Sequence, residues 1–413
     1  MIEYEQIDLE NGLKVVVHPD PSSSVVVINV AYNVGSRDET SDKTGFAHLF
    51  EHLMFSGSIN IPSYDEPLQK AGGENNAFTT PDYTNYYLTV PAENIETGLW
   101  LESDRMLGLA FNEKGLEVQR KVVIEEFKQR YLNQPYGDVW HKLRELTYKQ
   151  HPYQWPTIGK NLQQIEDAKM EDVRAFFNTY YIPNNAVLVL AGDVTTEKGF
   201  ELAKKWFGNI PKGKKIIRNV SIEPKQVEKR HLEVKASVPV DAFYKVYHMP
   251  GRNTLDYYIA DLLSDILGRG KSSLLYAQLV EDNSIFTDLA AYVLGSADPG
   301  LLVISGKLTN GTTFEKAEEE VDKIINRFLS QGVEELDLEK AKNQALASHA
   351  FGDIDLLDRA MNLAYGFIIN DLDRTNKELE IIKQISIEDI NKMANAILKE
   401  SNASTMFYRA SSN

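Results

Sequence analysis

The chain contains no cysteine. This excludes disulfides, a thiol nucleophile and any zinc site built on thiolates, so a bound metal must rely on histidine and carboxylate. The absence leaves the redox compartment open. Long apolar runs are also missing: the longest candidates are short stretches such as Ala186 to Ala191, against the roughly 20 residues needed to span a bilayer. No membrane span is expected. The N-terminus, Met1-Ile-Glu-Tyr-Glu-Gln-Ile-Asp, has neither the basic region nor the apolar core of a secretory signal, which makes a cytoplasmic location the default expectation. An exported partner, or a start codon assigned too late, would place the protein in the periplasm instead. Basic residues are in deficit, with 44 Lys and Arg against 60 Asp and Glu and a net charge of -16. Such a surface repels a phosphate backbone, so nucleic acid is not an expected partner. The acidity serves solubility, or else forms a negative chamber that attracts basic peptides.

What is present describes a globular protein. With 413 residues, 43% of them apolar and 25% charged, the chain is too long for one compact core and predicts two domains. Residues 3 to 34 alternate apolar and polar around Asn11-Gly12 and Asp20-Pro-Ser-Ser-Ser, as antiparallel strands joined by turns do. Thr44 to Phe55 turns helical, Tyr83 to Val90 reads as strand, and Asn94 to Leu109 and Glu113 to Tyr131 read as helices. The fold class is α+β. The polar, basic, proline-containing stretch from Pro211-Lys-Gly-Lys-Lys to Glu228-Lys-Arg marks a linker. The expected domains are 1–212 and 229–413, joined by 213–228. Met170-Glu-Asp-Val173 and Asn185-Ala186 reappear as Ile387-Glu-Asp-Ile390 and Asn402-Ala403, all at an offset of 217. The halves therefore read as a duplication. Asp256 to Leu267 is the counterpart of the first helix and sets Asp261, Ser264 and Asp265 opposite His48, Glu51 and His52. Only the first half can hold a metal.

His48-Leu-Phe-Glu51-His52 lies on that first helix. Histidines four apart project from one helix face about 6 Å apart and can share a cation. Glu51, adjacent to His52, can reach a water on the metal without displacing a ligand, which makes it the candidate general base. Two histidines are too few for a catalytic zinc, which needs three protein ligands and an open position. The third ligand is sought on Glu117 to Arg130, where Glu125 and Glu126 interrupt an apolar stretch. Spacing does not choose between them.

With these residues in view, the sequence resembles the pitrilysin and insulinase family of metallopeptidases over nearly its whole length. The resemblance rests on His48-Leu-Phe-Glu51-His52, on Gly72-Gly73-Glu-Asn-Asn76-Ala77-Phe78-Thr79, on Asp82-Tyr-Thr84-Asn85-Tyr86-Tyr87 and on Arg120-Lys-Val-Val-Ile-Glu-Glu126. It implies two homologous α+β domains, each a mainly antiparallel mixed sheet packed with helices, and a zinc ion on His48, His52 and Glu126 with Glu51 as the base. It also implies that Asn76, Ala77, Phe78 and Thr79 form an edge strand on which an extended peptide pairs beside the metal. Where the family often has another glutamate seven residues before the third ligand, this chain has Gln119.

One departure bears on partners. Single-chain and homodimeric members of the family usually carry an Arg, and a Tyr seven residues later, in the second half, where they hold substrate and the tetrahedral intermediate. Here those places are Val280 and Thr287, which offer no equivalent donors. The resemblance then implies the zinc-bearing subunit of a heterodimer with a homologous subunit lacking HxxEH, a homodimer being the alternative. The expected activity is zinc-dependent endopeptidase cleavage of unfolded or short peptides. The rival expectation is a non-catalytic assembly or core subunit, since the same family supplies core subunits of respiratory complexes that no longer hydrolyse peptides.

Overall fold

The computed structural model describes residues 1–411. The chain packs as two compact units: the first comprises Met1–Leu132, His151–Ser221 and Phe351–Asn376, the second Asn133–Gln150, Ile222–Ala350 and the chain from Lys377 on.

The first unit is built on a six-stranded sheet of β1 (Glu5–Asp8), β2 (Lys14–Pro19), β3 (Val25–Tyr32), β4 (Glu74–Thr79), β5 (Thr84–Pro91) and β6 (Ala186–Gly192), in the order β1-β2-β6-β3-β5-β4. All pairs are antiparallel except β2 with β6. Both faces of the central strands are buried, which explains their near-continuous Val, Ile and Leu content. Val26, Ile28, Val30 and Tyr32 of β3 enter the main core with Leu188 and Leu190, while Val27, Ala31, Val187, Val189 and Ala191 face a second, smaller core. That second core is closed by the helix Leu356–Ile368 through Ala360, Leu363 and Ala364. Arg359 anchors this helix by donating to Asp20 Oδ2 at 2.7 Å.

The second unit repeats the plan with β7 (Arg230–Ala236), β8 (Ala242–Met249), β9 (Phe286–Leu294), β10 (Gly300–Leu308) and β11 (Ala403–Ala410), ordered β7-β11-β8-β10-β9. Here β11 and β7 form the parallel pair. Order and strand sense match β2-β6-β3-β5-β4, and the register agrees in detail: Ala186 faces Tyr32 and Ala403 faces Tyr247, both tyrosines buried. The 217-residue offset is thus a structural duplication. The helix Asp256–Gly268 stands where the helix Phe46–Leu53 stands in the first unit.

The units are not contiguous along the chain. The segment 213–228 carries no helix or strand, and the packing boundary at Ser221/Ile222 falls within it. Each half nevertheless lends a segment to the other unit. The helix Val139–Thr147 packs in the second unit, where Arg230 Nη1 donates to Leu146 O at 3.2 Å and Tyr408 to Asp138 Oδ1 at 2.6 Å. Leu356–Ile368 packs in the first. Cuts at 212 and 229 follow the duplication, whereas packing follows whichever sheet face an amphipathic helix can cover. No helix among the described residues is long and apolar enough to cross a membrane.

Candidate metal centre

The helix Phe46–Leu53 lies against the helix Glu113–Phe127, and beside it runs β4, the sheet's edge strand. His48, His52 and Glu126 each offer one donor atom, all within 4.8 Å of one another; among the described residues no other cluster of three such groups occurs. Glu126 Oε2 lies 3.6 Å from His48 Nε2 and 3.3 Å from His52 Nε2. Ligands of a tetrahedral zinc about 2.0–2.1 Å from the metal stand roughly 3.3–3.4 Å apart, so the donor types and the two separations from Glu126 suit that ion.

Electrostatics put His48 and Glu126 in the states that ligands need. Burial lowers the His48 imidazole to about 4, against the pull of the Glu126 charge, so the ring is neutral with a free lone pair. The hydrogen bond from His52 holds the Glu126 carboxyl below its usual range against burial, with His48 and Arg130 adding to the effect. Arg130 Nη1 pairs with Glu126 Oε1 at 3.0 Å, leaving Oε2 for the histidines. Arg130 sits where the helix widens into a π-helical turn over Lys128–Leu132. Glu125 points away, with its side chain 60% exposed and paired to Lys128 at 2.7 Å. Nδ1 of His48 is buried without a hydrogen-bond partner, so the orientation of this ring rests on packing and on the helix that carries it. Gln119 donates to Ser56 Oγ at 2.9 Å.

Burial pushes the Glu51 carboxyl up, while a hydrogen bond from Thr79 and the His52 imidazole pull it down. The Thr79 hydroxyl donates to Glu51 Oε2 at 2.6 Å. Strand alternation explains how β4 reaches two places at once. Ala77 packs on the main core and Thr79 meets Glu51, whereas Phe78 turns to the other face and stacks edge-on against Tyr83, and Asn76 is exposed. β4 pairs with β5 alone among the described strands, so the backbone of Asn76 to Thr79 presents an open edge. Sequence reasoning did not identify the Thr79–Glu51 bond or the Arg130–Glu126 pair. The second is an i,i+4 pair of opposite charge that helix geometry alone could have flagged.

In the second unit the equivalent helix carries Asp261, Ser264 and Asp265, with Asp265 paired to Arg269 at 3.1 Å. Val280 packs partly buried on that unit's core. The Thr287 hydroxyl donates to Lys307 O at 3.2 Å.

Comparison with known proteins finds one peptidase family along both parts of the chain. Residues 14–161 match the model for insulinase, peptidase family M16, and residues 167–345 match the model for the peptidase M16 inactive domain. The zinc protease PqqE of Helicobacter pylori is 29% identical over 413 residues, covering 98% of this chain and 93% of the relative. The crystal structure of a protease from Helicobacter pylori superposes with a TM-score of 0.93 at 28% identity, covering 99% of this chain and 100% of that one. Pitrilysin shares the fold, with a TM-score of 0.78 at 19% identity over 99% of this chain and 45% of its own. With both halves matched in order and the HxxEH helix in the first, the chain belongs to peptidase family M16, the insulinase and pitrilysin family.

Proposed function

We propose that the protein is a zinc endopeptidase subunit that hydrolyses unfolded or short peptides, with the metal held by His48, His52 and Glu126. The observation that carries this is the convergence of the three donor atoms beside Glu51, which is itself held by a hydroxyl of the edge strand. When bound, zinc supplies Lewis-acid activation of a water and of the scissile carbonyl. Glu51 takes the proton from the attacking water and delivers it to the leaving amine nitrogen. Its partly raised proton affinity suits both transfers, since the same group must accept and then release. Thr79 holds Glu51 Oε2 against the edge strand and leaves Oε1 for the proton transfers.

An extended peptide would add as a strand along Asn76–Thr79. Main-chain hydrogen bonds would then give affinity with little demand on side-chain sequence. Folded proteins cannot offer such a strand, which restricts substrates to unfolded or short chains.

Val280 and Thr287 supply no charged or phenolic donor to a developing oxyanion, and loss of one such donor typically costs about 100- to 1,000-fold. The missing groups would come from a homologous subunit that lacks HxxEH. Copies of this chain alone share the defect, so a homodimer does not repair it. The same two positions support a second reading, a non-catalytic subunit of a larger assembly. One experiment separates the two. Zinc content and hydrolysis of an unstructured peptide are measured for the parent and Glu51→Gln, each alone and mixed with the sister subunit. The expected result is about one zinc per chain in both, activity raised strongly by the sister, and nearly complete loss in Glu51→Gln. Zinc-loaded parent that stays inactive with the sister would favour the assembly role. Glu51→Gln within a few fold of the parent would remove Glu51 from the mechanism.

A further inference from the structure

The helix that carries HxxEH starts without a cap of its own. Its N-cap is Gly45, at φ +86°, where an added Cβ would lie 2.6 Å from Ile158 O, so no side chain is available there. Its third residue is His48, at the position where a local capping box would place Glu or Gln to reach back to the N-cap amide. Neither half of the box can be made within the helix. One side chain from the preceding loop serves instead: Glu39 Oε2 accepts the N–H of Gly45, the N-cap, at 2.9 Å, and Glu39 Oε1 accepts the N–H of Ala47, the second helical residue, at 2.8 Å.

Glu39 is only 7% exposed, and the short 3₁₀ turn before it, Ser36–Asp38, is held firmly. Asp38 accepts from the Gly35 N–H at 3.1 Å and from Arg218 Nε at 2.7 Å, and Trp155 Nε1 donates to Ser36 O at 2.9 Å. Burial pushes the Glu39 carboxyl up to about 8, against the Ala47 and Gly45 N–H bonds that pull it down, and both of its oxygens face the positive end of the helix dipole. Its two acceptor bonds satisfy amides that are buried and would otherwise have no partner within the helix.

The consequence reaches the metal centre through His48. The Nδ1 atom of that ring has no hydrogen-bond partner to orient it, whereas metal-bound histidines usually have their second nitrogen held. Its direction is therefore set by packing, including the edge-on contact with His52, and by the first helical turn, the turn that Glu39 closes. His52 lies in the last turn and depends on it less. We propose that Glu39 is a positioning residue of the metal centre, closing the first turn of the HxxEH helix so that His48 is held ready for zinc. This rests on the zinc assignment made above.

The test uses the full chain. Zinc affinity is measured by chelator competition, and amide hydrogen exchange of residues 45–49 is measured without metal, for the parent, Glu39→Gln and Glu39→Ala. Val17→Ala, which opens the core far along the chain from the site, serves as a control for general destabilisation. Glu39→Ala is expected to bind zinc about 10- to 100-fold more weakly, as changes to groups that orient metal ligands do, and to lose exchange protection at 45–49. Glu39→Gln, which keeps one acceptor oxygen, should fall between it and the parent. Val17→Ala should keep its zinc affinity. Folded Glu39 variants within twofold of the parent, or an equal loss in Val17→Ala, would overturn the proposal. If Glu39→Ala does not fold, Glu39→Gln decides by the same limits. A parent that binds no zinc refutes the zinc assignment instead, and exchange at 45–49 still judges Glu39, unchanged protection in its variants overturning the role.

Discussion

Replacing Glu126 by glutamine keeps the shape of the side chain while removing the charge that faces His48 and His52. Changes to residues that merely orient a ligand cost ten- to a hundredfold in metal affinity. Loss of a ligand's charge should therefore exceed about 100-fold, or about 2.7 kcal/mol. At free zinc about 100 times the parent's Kd, binding stabilises the parent by about 2.7 kcal/mol; for a variant 100-fold weaker the same zinc gives about 0.4 kcal/mol. A unit of 150–250 residues shifts its Tm by roughly 2–4 °C per kcal/mol. Zinc should then raise the parent's Tm by about 5–11 °C and that of Glu126→Gln by less than about 2 °C. Glu125 is the internal control. Its side chain is 60% exposed and paired only with Lys128, an interaction worth about 0–1 kcal/mol, so Glu125→Gln should keep its zinc affinity within twofold. Thermal scans of metal-free protein with and without zinc, together with metal analysis after desalting, read both effects. If Glu126→Gln keeps the full zinc-induced shift while Glu125→Gln loses it, the third ligand has been misassigned.

Two further perturbations probe the scaffold. Asp261 is pushed up to about 6 by burial and then by the like charge of Asp265, against Arg252 and Arg269 and with Glu378 adding to the rise. A folded-state value above the ordinary 3.8 means that its favourable contribution is complete below about pH 4 and lost as pH rises through 6. Asp261→Asn should therefore stabilise the protein at pH 7.5 by about 1–3 kcal/mol and much less at pH 4; equal gains in urea denaturation at the two pH values would contradict this. Arg105 and Glu102, 1% and 0% exposed in their side chains, pair at 2.5 Å, and Tyr64 donates to the same carboxylate. The guanidinium also lies over the rings of Phe55, Tyr64 and Tyr86. Arg105→Leu strands a buried carboxylate and should cost about 3–5 kcal/mol, much of it recovered in the Arg105→Leu, Glu102→Leu double variant. A single variant as stable as the parent in denaturant titration would show that Glu102 takes up a proton without penalty.

The parts of this protein legible in its sequence are those in which a residue's neighbours lie within one or two turns of chain. The alternation in residues 3 to 34 placed β1 to β3, and His48 and His52 declared themselves because four residues make one helical turn. The choice between Glu125 and Glu126 was left to resemblance, yet a periodicity argument could have made it. Leu116, Val123 and Phe127 are the buried positions of their helix. Glu126 follows Val123 by three residues and so shares its face, whereas Glu125 follows it by two and turns about 200° away. Other features had no local signal. The helix Leu356–Ile368 is amphipathic, but nothing in an apolar stripe says which of two similar sheets it will cover, and it covers the one built by the other half. Capping rules fail for a related reason: they look for a partner within one turn of the helix start. At Gly45 the φ of +86° removes any local side chain, and His48 occupies the one position from which a local carboxylate could have answered. A helix with glycine at its N-cap and histidine at N3 has no local side chain to cap it, so the cap should be sought among acidic residues of the loop that leads into it.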